Sequence, residues 1–140
     1  MGILVKEKLC KFTTFHKAEE RYDVTALGNF LIFSLYLPSV SNNDDIDTIN
    51  SLVEDIEDII ADFPHHKIIC GGDFNVNLSS NKKTAIIIRA LMKSSKTFAF
   101  SDDLSKNSNE CNYMYKHVSF DHQSCIDYFV VRVGKLGTIN

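Results

Sequence analysis

The chain is 140 residues long, with 44% hydrophobic residues, 24% charged residues and a formal net charge of −3. This length suits a single domain spanning residues 1–140, and the ordinary composition excludes general disorder. No apolar run approaches the roughly 18–20 residues of a transmembrane helix, and no apolar signal region follows the N-terminus. The acidic balance argues against a broad basic surface for nucleic acid, although an enzyme can still grip phosphate locally. We expect a soluble intracellular protein, nuclear or cytoplasmic, without a membrane partner.

The N-terminal part of the chain predicts strands. We interpret Ile3 to Leu9 as a first strand. Arg21 to Leu27 alternates polar and apolar residues, Gly28-Asn29 can form a two-residue turn, and Phe30 to Leu37 is apolar. This order predicts a β-hairpin that ends at Pro38, because proline cannot donate to a strand ladder.

A helix is predicted between Ser41 and Pro64. Polar residues at 41–45 can cap its start, and isoleucine, leucine and valine recur at helical spacing from Ile46 to Ile60. The acidic residues between them are typical of a solvated helix face. Because the apolar strand beginning at Lys67 follows at once, the strand, helix, strand order predicts a parallel and buried central pair.

Further short elements are predicted in the C-terminal half. A polar linker leads into a second helix, which Ser80 or Asn81 can cap. In chain order the elements are a helix over Thr84 to Met92, a strand over Phe98 to Phe100, a loop over Ser101 to Glu110, and strands over Cys111 to Lys116 and Ser124 to Val133.

The stretch Gly71-Gly72-Asp73-Phe74-Asn75 carries most of the functional signal, because an apolar strand ends there in a carboxylate and an amide. Strand side chains alternate between faces, so Asp73 and Asn75 would project together. Such a pair can bind a cation, orient a water or donate to a phosphate oxygen. The alternative is a turn with a local hydrogen bond between the side chain and the backbone.

Asp127 is a second carboxylate of interest, because it lies inside an apolar strand, where an acid costs free energy unless it has a partner. The alternative is an aspartate held by backbone amides at a strand end.

The cysteines and histidines give weaker signals. The four cysteines include no C-x-x-C pair and are interpreted as reduced core residues. Cys111, His117, His122 and Cys125 could be read as zinc ligands, but their spacing fits no usual zinc finger. His65-His66 is interpreted as a solvated turn.

Four short motifs occur along the chain in order: Tyr36-Leu37-Pro38, Gly72-Asp73-Phe74-Asn75, Asn112-Tyr113-Met114-Tyr115 and Ser124-Cys125-Ile126-Asp127-Tyr128. Together they resemble the endonuclease/exonuclease/phosphatase superfamily, and within it the apurinic-endonuclease-like domains of non-LTR retrotransposons. The resemblance runs from about Gly2 to Val133. It implies an α+β fold, a two-sheet β-sandwich flanked by helices (four-layer α/β/β/α), which would be incomplete at both ends. It also implies hydrolysis of phosphodiester bonds in DNA with Mg²⁺ or Mn²⁺ in the complete domain.

The resemblance also implies roles for individual residues. Asp73 would orient the attacking water and accept its proton, and Asn75 would hydrogen-bond the scissile phosphate. Tyr36 would contact the same phosphate, and Asp127 corresponds to the acid that orients a catalytic histidine. Asp73 and Asn75 are also the residues that would approach the metal.

The chain departs from the family pattern at two points. The glutamate that binds the metal in the family has no match, since Glu19 and Glu20 do not fit its motif. The family's catalytic histidine lies downstream of the strand that Asp127 matches, whereas His117 and His122 precede that strand and are not its equivalents. We therefore expect the C-terminal part of an endonuclease domain, inactive or weak alone. The alternatives are a phosphatase acting on phosphomonoesters or phospholipid head groups, and a non-catalytic remnant or binding module. The apolar sheet face left uncovered would favour self-association.

Overall fold

The computed structural model describes residues 2–99, 115–117, 122–124 and 127–132, which form a mixed α+β arrangement. The elements in chain order are α1 (Glu7–Cys10), β1 (Thr13–Ala18), β2 (Tyr22–Leu27), β3 (Phe30–Tyr36), α2 (Asn43–Asp62), β4 (Lys67–Asp73), α3 (Lys83–Ser94), β5 (Phe98–Ala99), β6 (Tyr115–His117), β7 (His122–Ser124) and β8 (Asp127–Arg132).

Six strands form one sheet in the order β1-β2-β3-β4-β8-β5, in which β3 and β4 are parallel and the other neighbours are antiparallel. Strands β6 and β7 form a separate two-stranded ladder. The predicted α+β class is confirmed. The described residues form a single large sheet, so the two-sheet sandwich with four layers stays a prediction.

The hairpin β2–β3 has the predicted two-residue loop, since Leu27 pairs with Phe30. Gly28 has a φ of 59°, a value that glycine adopts at no steric cost, and this closes the turn tightly.

Helix α2 connects β3 to β4 and begins with a reciprocal capping box. The Asn42 side chain accepts from the backbone N–H of Asp45, and the Asp45 carboxylate accepts from the backbone N–H of Asn42. The helix ends at Asp62, before Pro64. The predicted parallel pair follows, because a crossover of this length returns the chain alongside β3.

The core lies on one face of the sheet, under α2 and α3. Strand alternation directs every second residue of β2, β3 and β4 toward the helices. The buried residues there include Val24, Leu31, Phe33, Ile49, Ile56, Ile68, Cys70, Ile88 and Val130. On the opposite face, Phe30, Tyr36 and Phe129 are 37%, 42% and 64% exposed.

The predicted strand over Ile3 to Leu9 is wrong. This segment ends in the short helix α1, and Leu4 is fully exposed. The charged sequence Lys6-Glu7-Lys8 interrupts the apolar run, so a strand there would have no buried face. The segment is held instead by the Ile3 N–H, which donates to Asp23 Oδ2 at 2.9 Å.

Helix α3 is confirmed, but neither Ser80 nor Asn81 caps it, because its N-cap residue is Lys82 and no side-chain cap is formed. The Arg89 guanidinium donates to the carbonyl oxygens of Leu78 and Ser80 and so holds the linker from the helix side.

The C-terminal strands are only partly as predicted. Ser124 pairs with Tyr115 in the small ladder, whereas β8 begins at Asp127, so Ser124 does not belong to the long central strand. The predicted loop over Ser101 to Glu110 lies outside the described residues. Within the described ranges, no helix is long and apolar enough to cross a membrane.

Candidate active site

Tyr36, Asp73 and Asp127 lie in one row across three neighbouring strands. Tyr36 is the last residue of β3 and pairs with Asp73, the last residue of β4. Asp73 in turn pairs with Asp127, the first residue of β8. The sheet therefore brings the backbones of three sequence-predicted site residues together at the carboxyl ends of its parallel strands, the edge at which open α/β sheets bind ligands.

Asn75 reaches this row through a turn rather than through strand alternation. Because β4 ends at Asp73, the alternation argument does not apply beyond it, and Asn75 has a left-handed φ of 47°. Its backbone N–H donates to Asp73 Oδ1 at 2.9 Å, which is a local aspartate turn. The two residues are thus adjacent, but the expected reason for their adjacency is wrong.

Leu37 joins the Tyr36 motif to the Asp73 motif. Its N–H donates to the Asp73 carbonyl oxygen at 2.9 Å, and its own carbonyl oxygen accepts from Asn75 Nδ2 at 2.8 Å. These two hydrogen bonds clamp Leu37 to Asp73, at the start of the turn, and to Asn75, at its end. This clamp orients the Asn75 side chain and, among the residues that the structure describes, leaves one of its two amide hydrogens for another acceptor.

The two glycines before Asp73 allow close packing on both sides of β4. Gly72 has a φ of 146°, and a Cβ atom added to it would lie 1.9 Å from the Leu35 carbonyl oxygen. A Cβ atom on Gly71 would lie 2.8 Å from the ring of Phe129, which covers that glycine. Only glycine fits at position 72 without moving the backbone of β3.

A depression of about 480 Å³ opens beside the row and is lined by Glu20, Ser34, Leu35, Tyr36, Gly72 and Asp73. Glu20 was not predicted as a site residue. It reaches the depression because the turn between β1 and β2 lies beside the end of β3, where the Tyr36 N–H donates to the Arg21 carbonyl oxygen at 2.9 Å. The pairing of β2 with β3 was predictable, but the path of the preceding turn was not.

Among the residues that the structure describes, no three histidine, cysteine, aspartate or glutamate side chains converge into a group that could hold a metal ion. Asp73 and Asn75 alone do not supply the six or more oxygen ligands of a hard divalent cation. Cys111 and Cys125 of the zinc hypothesis lie outside the described residues.

His66 is part of the fold at the helix-to-strand turn. Its ring meets the Phe63 ring edge-on at 4.9 Å, and its carbonyl oxygen accepts from the Arg132 guanidinium at 3.0 Å.

No model of a known protein family and no curated protein sequence matches this chain. The fold is similar to the 3′ phosphatase NExo from Neisseria, solved bound to a product DNA hairpin, with a TM-score of 0.61 and 13% identity over 82% of this chain. It is also similar to the endonuclease domain of TRAS1, a telomere-specific non-LTR retrotransposon, with a TM-score of 0.57 and 15% identity over 79% of this chain. The chain spans 53% and 49% of the two proteins, about half of each. The likeness establishes a shared fold.

Proposed function

We propose that this chain is part of an endonuclease/exonuclease/phosphatase domain that hydrolyses phosphodiester bonds in DNA, as retrotransposon endonucleases do. The observation that carries the proposal is the row of Tyr36, Asp73 and Asp127, with Asn75 bonded to Asp73. The similar structures support it in general terms, since one is a phosphatase bound to DNA and the other an endonuclease domain.

In this proposal each residue has one role. Asp73 Oδ1 is already occupied by the Asn75 N–H, so its other carboxylate oxygen orients the attacking water and receives its proton. The free amide hydrogen of Asn75 and the hydroxyl of Tyr36 donate to the scissile phosphate and stabilise its developing charge. Asp127 orients a histidine as a positioning residue.

The complete domain is proposed to be the four-layer sandwich and to use Mg²⁺ or Mn²⁺. A divalent cation in such a site would neutralise charge on the phosphate. The described residues do not form a metal site by themselves.

The test is nicking of supercoiled plasmid DNA with Mg²⁺. The chain alone should nick weakly or not at all, and the same chain joined to the segments that complete the fold should nick efficiently. In that longer protein, Asp73→Ala should reduce nicking by a factor of about 10² or more, the usual contribution of a general base. Asp58→Ala, on the exposed face of α2, is the control. Unchanged nicking by Asp73→Ala would show that the site is wrongly assigned.

A phosphatase acting on phosphomonoesters or phospholipid head groups is the second candidate. The net charge of −3 favours a small substrate over a long polyanion, and one similar structure is a phosphatase. Relative turnover of duplex DNA and of small phosphate esters by the completed domain separates the two functions.

A non-catalytic binding module is the third candidate, favoured by the 64% exposure of Phe129 on the sheet face opposite the helices. A face of this kind would support self-association. Sedimentation should then show a concentration-dependent dimer that Phe129→Ser weakens, whereas a monomer that binds no hydrophobic dye would contradict this role.

A further inference from the structure

Arg21 contacts Tyr36 in two ways. Its carbonyl oxygen accepts the Tyr36 N–H at 2.9 Å, and its guanidinium carbon lies 5.5 Å from the centre of the Tyr36 ring. A guanidinium over an aromatic face is attracted by the ring and loses little freedom there. The cation is therefore held beside a residue that lines the depression.

Glu20 is the present ionic partner of Arg21. Its Oε1 atom lies 3.5 Å from an Arg21 guanidinium nitrogen, and the two side chains are 85% and 32% exposed. An ion pair this exposed contributes little to stability, because water screens it. A stronger anion can therefore replace the Glu20 carboxylate without disturbing the fold.

The depression is acidic, so a phosphate substrate would need a cation beside it. Glu20 and Asp73 are the charged residues among those that line it, and both are acidic. Two carboxylates repel a phosphodiester, and the overall charge of the chain adds to this repulsion. The Arg21 guanidinium, which lies over the Tyr36 ring, is next to this acidic lining. Its planar fork fits two phosphate oxygens.

We propose that Arg21 is a substrate-binding residue that takes a backbone phosphate of DNA beside Tyr36, exchanging its Glu20 carboxylate for that phosphate. This inference rests on the proposed function, since it adds a binding residue to the same site. Glu20 then tunes affinity, because its carboxylate competes with the incoming phosphate for the same guanidinium.

Lys67 provides a matched control on the same strand pair. Its ammonium nitrogen lies 5.5 Å from the centre of the Phe30 ring, and Phe30 pairs with Lys67 at the opposite end of β3 and β4. Lys67→Gln and Arg21→Gln each remove one positive charge and one contact between a cation and an aromatic ring. Of these two residues, Arg21 is the one that lies next to the depression.

The experiment measures binding of a short fluorescent DNA duplex to the full chain by anisotropy over a range of salt concentrations. Arg21→Gln should weaken binding about tenfold and reduce the salt slope by about 1, as loss of one phosphate contact does. Lys67→Gln should stay within about twofold of the unaltered chain, because it leaves every phosphate contact in place. Arg21→Lys should keep the slope but recover only part of the affinity, because an ammonium cannot bind bidentately. Glu20→Gln should strengthen binding.

Two results would overturn the inference. If Arg21→Gln behaved like Lys67→Gln, with its circular dichroism and melting unchanged, DNA binding would stand without a role for Arg21. If Glu20→Gln weakened binding, the exchange of carboxylate for phosphate would be wrong, and this exposed substitution cannot act through unfolding. If the unaltered chain did not bind DNA, the same substitutions would be compared in the completed domain, and failure of that domain to bind DNA would remove the DNA function itself, and the inference with it.

Discussion

The backbone of Asp73 pairs directly with that of Asp127 across β4 and β8. Like charges at opposite positions of an antiparallel pair destabilise a sheet, by roughly 0.2–1 kcal/mol. We therefore predict that Asp127→Asn raises the free energy of unfolding by up to about 1 kcal/mol at low salt, with a smaller gain at high salt. Urea unfolding at two salt concentrations measures this. A loss of stability would indicate that the Asp127 carboxylate has a stabilising partner.

Gly72→Ala should destabilise the protein far more than Gly71→Ala. At position 72 the new Cβ atom would lie 1.9 Å from a backbone oxygen, and the φ of 146° is unfavourable for alanine. We expect a loss of about 3 kcal/mol or more there, from backbone strain together with displacement of β3. At position 71 the obstacle is the exposed ring of Phe129, which can rotate away, so the loss should stay below about 1 kcal/mol. Equal losses in denaturant titrations would contradict this difference.

The capping box of α2 should make stability depend on pH in the acid range. Hydrogen bonds from the backbone N–H and the hydroxyl of Ser41, and from the Asn42 N–H, hold the pKa of Asp45 below its ordinary value of 3.8. A depressed pKa in the folded state stabilises the protein above the unfolded value, and this contribution is lost as the pH falls through the folded value. Unfolding curves recorded from neutral pH downward should therefore show that the free energy of unfolding begins to fall near pH 3.8.

Asp45→Asn should flatten this pH dependence, whereas Asp44→Asn, which changes the charge of the same helix turn, should preserve it. If both substitutions left the same curve, the capping interaction would not be its origin.

Cys70 and Cys10 should differ strongly in reactivity. Burial raises the pKa of the Cys70 thiol to about 12, so almost no thiolate forms near neutral pH. Cys10 is exposed. Alkylation of the folded protein followed by peptide mapping should label Cys10 quickly and Cys70 only after unfolding. Rapid labelling of Cys70 under native conditions would mean that the β4 core opens locally.

The parts of the fold that follow from short-range patterns were predictable. The hairpin over β2 and β3, helix α2 and strand β4 each combine a clear apolar period with residues that end it, such as Gly28 and Pro64. The prediction of Cys10 as a core residue failed, because Cys10 lies in the short helix α1, which has no buried residues, whereas Cys70 lies in β4 on the face that the helices cover.

The candidate site residues were chosen from the sequence, but the geometry that relates them could not be predicted from it. The register that aligns Tyr36 with Asp73 depends on the crossover helix, and the turn that brings Asn75 back to Asp73 depends on a left-handed φ that no periodicity reveals. Glu20 and Arg21 reach the site through the path of a turn between β1 and β2. Such proximity between segments is a tertiary property, so a motif search does not find it.

The parallel pairing of β3 with β4 also bears on how the protein reaches its native state. Tyr36 and Asp73 are adjacent only after α2 has been built and the chain has returned, so their contact requires closing a long loop. Contacts of this kind slow folding, because the loop entropy is lost before the pairing compensates for it. In a refolding experiment the β2–β3 hairpin should form early, and the Tyr36–Asp73 pair should form last.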